Sequence, residues 1–222
     1  MTSDSPEFHC WYSLDRESAE RKGRIILQKF GHFLKGPITD LGCGEGATLL
    51  ALAADGRSDL LGVELNDQLA ALAKSSGVTI VKQDILEFLS ARKPGPGTYL
   101  YIDVIEHVPF DYNSRLLAAI PVGSRLIIQT PYTESLLGHQ FYMNVPSHLA
   151  PYSPWVLRQM LSRSGYDIVS EGSVDGKHPK TFITRMRAIF IRRVLGLPPE
   201  MIMGGGNYYV VADRVRDAEQ SG

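Results

Sequence analysis

Ile38-Thr-Asp-Leu-Gly-Cys-Gly-Glu-Gly-Ala-Thr-Leu-Leu50 reads as an apolar strand, a glycine-rich turn and the first turns of a helix. Glycines at 42, 44 and 46 let the backbone turn sharply and approach a ligand without Cβ interference. Asp40 stands where the turn begins, so the stretch asks which ligand wants a carboxylate there. Outward from it the chain alternates. β-rich runs fall at 37–41, 59–65, 78–84, 98–104, 124–130, 166–172 and 207–213. Helical patterns lie between the first five: GATLLALAA, NDQLAALAKSS with Asn66 as its N-cap, ILEFLSAR and DYNSRLLAAI. Such alternation implies right-handed crossovers and a parallel sheet with helices on both faces. The first four strands read as continuous apolar runs, as strands buried on both faces do. A charged helix over Asp15–Leu34 and the aromatic cluster FHCWY precede this unit.

Composition narrows the class. The chain has 222 residues, 44% of them hydrophobic, and a formal charge of −1, which suits a single α/β domain with a full core. The charge points away from a nucleic-acid partner. Cys10 and Cys43 form neither a metal knuckle nor a disulfide framework, and Cys43 reads as a small residue packed in the turn. No apolar run reaches the ~20 residues of a membrane span, and MTSDSPEF lacks the regions of a signal peptide, so a cytoplasmic location is expected.

In such a sheet, ligands bind beyond the carboxyl ends of the strands. Acidic residues stand at four successive strand ends: Asp40, Glu64, Asp84 and Asp103, the last opening a segment through Glu106 to His107. One such acid can be a solvated helix cap; four together suggest a site. Gly42, Gly44 and Ala47 satisfy a dinucleotide fingerprint, and Glu64 follows Gly42 by 22 residues, as a ribose-binding acid does. An NAD(P)-dependent oxidoreductase is therefore a competitor, and a cofactor-binding subunit without catalysis is the non-enzyme rival. Against NAD, Asp40 would repel a pyrophosphate but favour a ligand carrying an ammonium or sulfonium group, such as S-adenosylmethionine.

These residues carry a resemblance. Asp40-Leu-Gly-Cys-Gly-Glu-Gly46, Glu64, Asp84 and YIDVIEHVP resemble the glycine motif, ribose acid, adenine acid and fourth-strand motif of class I S-adenosylmethionine-dependent methyltransferases. The segment from Thr130 to Val169, with His148, Tyr152-Ser-Pro, Leu157, Leu161, Gly165 and Tyr166, is similar to the branch of ubiquinone-type and glycan O-methyltransferases. The resemblance spans about residues 36 to 172. It implies a doubly wound, Rossmann-like, seven-stranded sheet, mostly parallel with an antiparallel last strand. It also implies one methyltransferase domain over 1–222: a helical lid at 1–35, a cofactor-binding half at 36–130 and an acceptor-side half at 131–222. Asp40, Gly42, Gly44 and Asp103 would line the methionine end, Glu64 with Leu65 the ribose, and Asp84 with Ile85 the adenine. Where the family closes its sheet with a tight hairpin, residues 173–206 intervene here.

Methyl transfer needs the nucleophile, methyl and sulfur in line and water excluded. A hydroxyl acceptor also needs a base, and the candidates are His107, His139 and His148. His148 is favoured because its loop, rich in Tyr132, Tyr142 and Tyr152, follows the fifth strand. His107 is retained as a second candidate. The spacing of Asp103, Glu106 and His107 also matches the string through which ubiquinone-type enzymes are thought to hold magnesium; the reading adopted assigns no metal. Between Asp175 and Glu200 there is no acid, whereas Lys177, Lys180, Arg185, Arg187, Arg192 and Arg193 are basic, and Phe182, Met186, Ile189, Phe190 and Val194 recur at helical spacing. The insertion thus suits an anionic acceptor or, through 180–195, peripheral contact with an anionic membrane; packing over the sheet is the plainer alternative. The expectation is O-methylation of a sugar, glycan or lipid-linked glycan, with a quinol, phenol or carboxylate acceptor as the alternative.

Overall fold

The computed structural model describes residues 16–174 and 206–218, with positions 186, 189, 190, 193 and 196. The FHCWY cluster, Cys10 and most of the basic insertion lie outside the described residues. In chain order the elements are α1 (Arg16–Phe30), β1 (Ile38–Leu41), α2 (Ala47–Ala54), β2 (Leu60–Glu64), α3 (Asp67–Ser75), β3 (Ile80–Lys82) and α4 (Ile85–Arg92). They continue with β4 (Thr98–Ile102), α5 (Phe110–Ala119), β5 (Arg125–Pro131), α6 (Leu136–Met143), α7 (Pro154–Arg163), β6 (Tyr166–Ser173) and β7 (Asn207–Arg214). Short 3-10 turns occur at Gly31–Phe33 and Ile105–His107.

The seven strands form one sheet in the order β3-β2-β1-β4-β5-β7-β6. Strands β1 to β5 are parallel, and β7 runs antiparallel between β5 and β6. This is the expected α/β sheet, antiparallel last strand included. Alternation along the strands divides the core between its faces. Tyr99, Tyr101, Leu126 and Ile128 point to one side, where Phe88 and Leu89 of α4, Leu116 and Leu117 of α5, and Leu157 and Leu161 of α7 cover them. Leu100, Ile102, Ile127 and Val211 point to the other, under Ile26 and Phe30 of α1 and Leu49 and Leu52 of α2. Among the described residues no helix is long and apolar enough to cross a membrane.

Three expectations need correction. Strand β3 is only partly buried, because it forms the sheet's edge and helices cover it less fully. The segment after β5 is not all loop: it contains α6, capped by Ser135, whose side chain accepts from the Gly138 N–H. Tyr152 is not an acceptor-lining aromatic but a core residue, 1% exposed. Its hydroxyl and that of Tyr101 meet the side chain of Asn113, which also donates to the carbonyl of Ile105. This buried network ties the turn after β4 to α5 and α7, and thereby holds Glu106 and His107 in place.

Candidate active site

The glycine turn is built around Glu64. Its carboxylate accepts from the backbone N–H of Gly44 and of Asn66, each at 2.8 Å. Gly42 has φ +77°, and a side chain there would strike Val104; Gly44 has φ +56° and faces open space. The turn is thus tight against the protein at one glycine and accessible to a ligand at the other. Leu65, next to Glu64, is 42% exposed. Asp40 is 3% exposed. Burial, reinforced by Glu64 and opposed by Lys22, pushes its carboxyl pKa up to about 7. Cys43 lies in the same turn, its thiol pushed well above the ordinary range by burial and by Asp40 and Glu64, so it packs rather than reacts.

Asp103 adopts φ +56°, a left-handed conformation uncommon for a residue with a side chain and frequent at functional sites. It pairs with the Lys22 ammonium at 2.8 Å and accepts from Gln129 Nε2 at 3.1 Å. Gln129 Oε1 is left buried with no hydrogen-bond partner. Asp84 is further along the sheet. One of its oxygens caps α4 by accepting from Leu86 and Glu87, and the other accepts from the Tyr112 hydroxyl at 2.9 Å. Ile85 packs mainly into the core, 8% exposed.

Beside Asp103, the chain brings Glu106, His107 and His148 together. Backbone N–H of Leu149 donates to the carbonyl of Glu106 at 2.8 Å, fastening the distant loop to the turn after β4. The imidazoles of His107 and His148 then stack edge-on with centroids 4.6 Å apart. His148 Nδ1 lies 2.8 Å from the carbonyl of Tyr142, which can only accept, so Nδ1 carries the hydrogen and Nε2 keeps its lone pair. That Nε2 lies 3.9 Å from Glu106 Oε1, both side chains being nearly inaccessible to water. Burial, then His148, pushes His107 down to about 4, and burial also lowers the pKa of His148. Burial, then Asp103, pushes Glu106 up to about 8, while its other oxygen accepts from Thr130. His139 is exposed on α6.

The sequence reading missed Lys22, Gln129, Thr130 and Tyr112. A glutamine in the otherwise apolar run LIIQT was a usable signal; Lys22, between charged neighbours on a helix, gave none.

The sequence matches no known family profile and no curated protein. Solved structures do match. An S-adenosylmethionine-dependent methyltransferase from Archaeoglobus fulgidus superposes with a TM-score of 0.72 at 19% identity, over 93% of this chain and 97% of that one. A putative methyltransferase from Haloferax volcanii, in complex with the Trm112 activator, gives 0.66 at 13% identity, over 95% and 98%. Magnesium protoporphyrin IX methyltransferase from Synechocystis, with bound adenosylhomocysteine, gives 0.58 at 16% identity, over 96% and 95%. The fold is that of class I methyltransferases.

Proposed function

We propose that the chain is an S-adenosylmethionine-dependent methyltransferase acting on a hydroxyl of an anionic acceptor, a sugar or glycan intermediate being the favoured class. The observation that carries this reading is the set of acids around the glycine turn: Glu64 holds Gly44, and Lys22 pairs with Asp103 while acting on the buried Asp40. Glu64 acts on Asp40, and Lys22 acts on both Asp40 and Asp103. Several carboxylates facing one ammonium oppose a pyrophosphate and suit a ligand carrying ammonium and sulfonium charges. Gln129 Oε1, a buried acceptor without a donor, fits the same ligand.

In this reading Asp40, Gly42, Gly44 and Asp103 hold the amino-acid end, Glu64 and Leu65 the ribose, and Asp84 and Ile85 the adenine. Glu64 and Asp84 already accept backbone N–H groups, yet a carboxylate oxygen has lone pairs for more than one donor. The bound donor supplies an electrophilic methyl whose bond to sulfur breaks, the electron pair staying on sulfur, as the acceptor oxygen attacks. His148 takes the hydroxyl proton at Nε2, which lies beside Glu106, and the ring of His107 braces it. For the acceptor, the support is the acid-free basic run from Lys177 to Arg193, with Met186, Ile189 and Phe190 about half exposed or more. These exposed apolar side chains within a run of basic sequence also support peripheral contact of 180–195 with an anionic membrane, from the cytoplasmic side.

A second reading rests on one geometric fact: the ligand atoms of Glu106, His107 and His148 all lie within 4.8 Å of one another. Two imidazoles and a carboxylate could hold a divalent metal, a donor set closer to manganese, iron or zinc than to magnesium. Bound there, a metal would lower the pKa of the acceptor hydroxyl. It is this trio that converges, not the Asp103, Glu106 and His107 of the sequence spacing.

Titration calorimetry with adenosylhomocysteine and with NAD tests the cofactor assignment: binding of the first alone supports it, and binding of NAD alone overturns it. Activity that survives chelator favours His148 as base. Loss restored by a divalent metal moves the chemistry to the metal.

A further inference from the structure

Helix α1 crosses α2 at Gly23. A Cβ on Gly23 would collide with the carbonyl of Ala47 and approach the Ala51 side chain to 2.9 Å, so only glycine permits so close a crossing. The crossing carries the adjacent Lys22 over the carboxyl end of the sheet, where its ammonium meets Asp103 at 2.8 Å with the side chain still 38% exposed. Lys22 is therefore held in place but free to turn towards a ligand. Its charge acts on Asp40, Asp103 and Glu106 together; burial works against the ammonium, and these acids outweigh it and hold its pKa above the ordinary lysine value.

The amino-acid end of adenosylmethionine is a zwitterion, and the two halves need opposite partners. Its ammonium finds Asp103, Asp40 and the unpaired Gln129 Oε1. Its carboxylate would enter among acids, where it is repelled unless a cation faces it. We propose that Lys22 is the cation that holds the cofactor's carboxylate, exchanging part of its ion pair with Asp103 for it. This rests on the cofactor reading above. Lys22 then acts as a specificity residue: it distinguishes the intact cofactor from nucleosides that lack the carboxylate.

Calorimetry on the full chain with two ligands tests the proposal: adenosylhomocysteine and its decarboxylated analogue, which keeps the ammonium. Wild type should prefer adenosylhomocysteine by about 10- to 100-fold, the range of a charge-assisted contact. Lys22→Met should abolish the preference, because the ratio of the two affinities isolates the contact with the carboxylate whatever happens to the ammonium. Lys22→Arg should keep most of it, and covers the case in which the methionine variant does not fold. A preference that persists in Lys22→Met, a wild type without preference, or an arginine variant without it would each overturn the proposal. If wild type binds neither nucleoside, the cofactor reading itself falls and takes this proposal with it.

Discussion

Replacing Glu64 by alanine separates two roles that one carboxylate plays. In the ligand-free chain it accepts two backbone donors, Gly44 N–H and Asn66 N–H, each at 2.8 Å. Hydrogen bonds to a charged acceptor contribute about 1.5–3 kcal/mol each, so the gross loss is about 3–6 kcal/mol. Two effects reduce it. Glu64 is 9% exposed, so water can enter the space it leaves, and its removal relieves the repulsion that helps raise Asp40. A net loss of about 2–4 kcal/mol remains, which for a chain of this size lowers Tm by about 5–15 °C. Glu64→Gln keeps a single carbonyl acceptor and should lose about half as much. Urea denaturation of the ligand-free variants reads the first role. Calorimetry with adenosylhomocysteine reads the second, in which unpaired ribose hydroxyls cost a further 1–3 kcal/mol or about that of binding. An alanine variant within about 0.5 kcal/mol of wild type would refute the claim that Glu64 holds the glycine turn. Unchanged ligand affinity in a folded variant would refute its contact with ribose.

The remaining predictions concern protons and the core. His148→Ala should lower turnover roughly 10²- to 10⁴-fold without changing adenosylhomocysteine affinity. Because burial lowers the pKa of His148, the acid limb of the wild-type rate profile should fall below the usual histidine range; a limb above that range would exclude His148 as base. Asp40 is raised from 3.8 to about 7, so its contribution to folding is full below pH 3.8 and is lost as pH rises towards 7. Asp40→Asn should therefore gain stability over wild type across that window, by up to about 4 kcal/mol above it, measured by urea denaturation at several pH values. A gain that does not grow with pH would show that Asp40 is ionised throughout. Asn113→Leu should cost about 3 kcal/mol, since the buried hydroxyls of Tyr101 and Tyr152 and the Ile105 carbonyl each lose a partner; an m-value-matched loss under about 1 kcal/mol would show that water replaces the amide.

Much of the architecture is a property of neighbours along the chain. Apolar runs mark the strands and period-3.6 patterns the helices, Asn66 caps α3, and parallel crossovers place the carboxyl ends of β1 to β5 on one edge. That is why Asp40, Glu64, Asp84 and Asp103 are visible as a group in the sequence. The burial of strand β3 was misjudged because an apolar run does not reveal whether its strand lies at the edge. Asp84 shows a related ambiguity, since a cap of α4 and a ligand contact look alike in one dimension. What tertiary structure alone decided lies in contacts between distant segments. Lys22 is one of several charged residues on α1, and only the crossing of Gly23 on Ala47 selects it to meet Asp103. His148 reaches Glu106 and His107 because the Leu149 N–H docks on the Glu106 carbonyl, an energy no local window contains. Sequence pattern determines which groups face the same edge of the sheet; pairing among them depends on ångström-scale packing between elements that are remote in the chain.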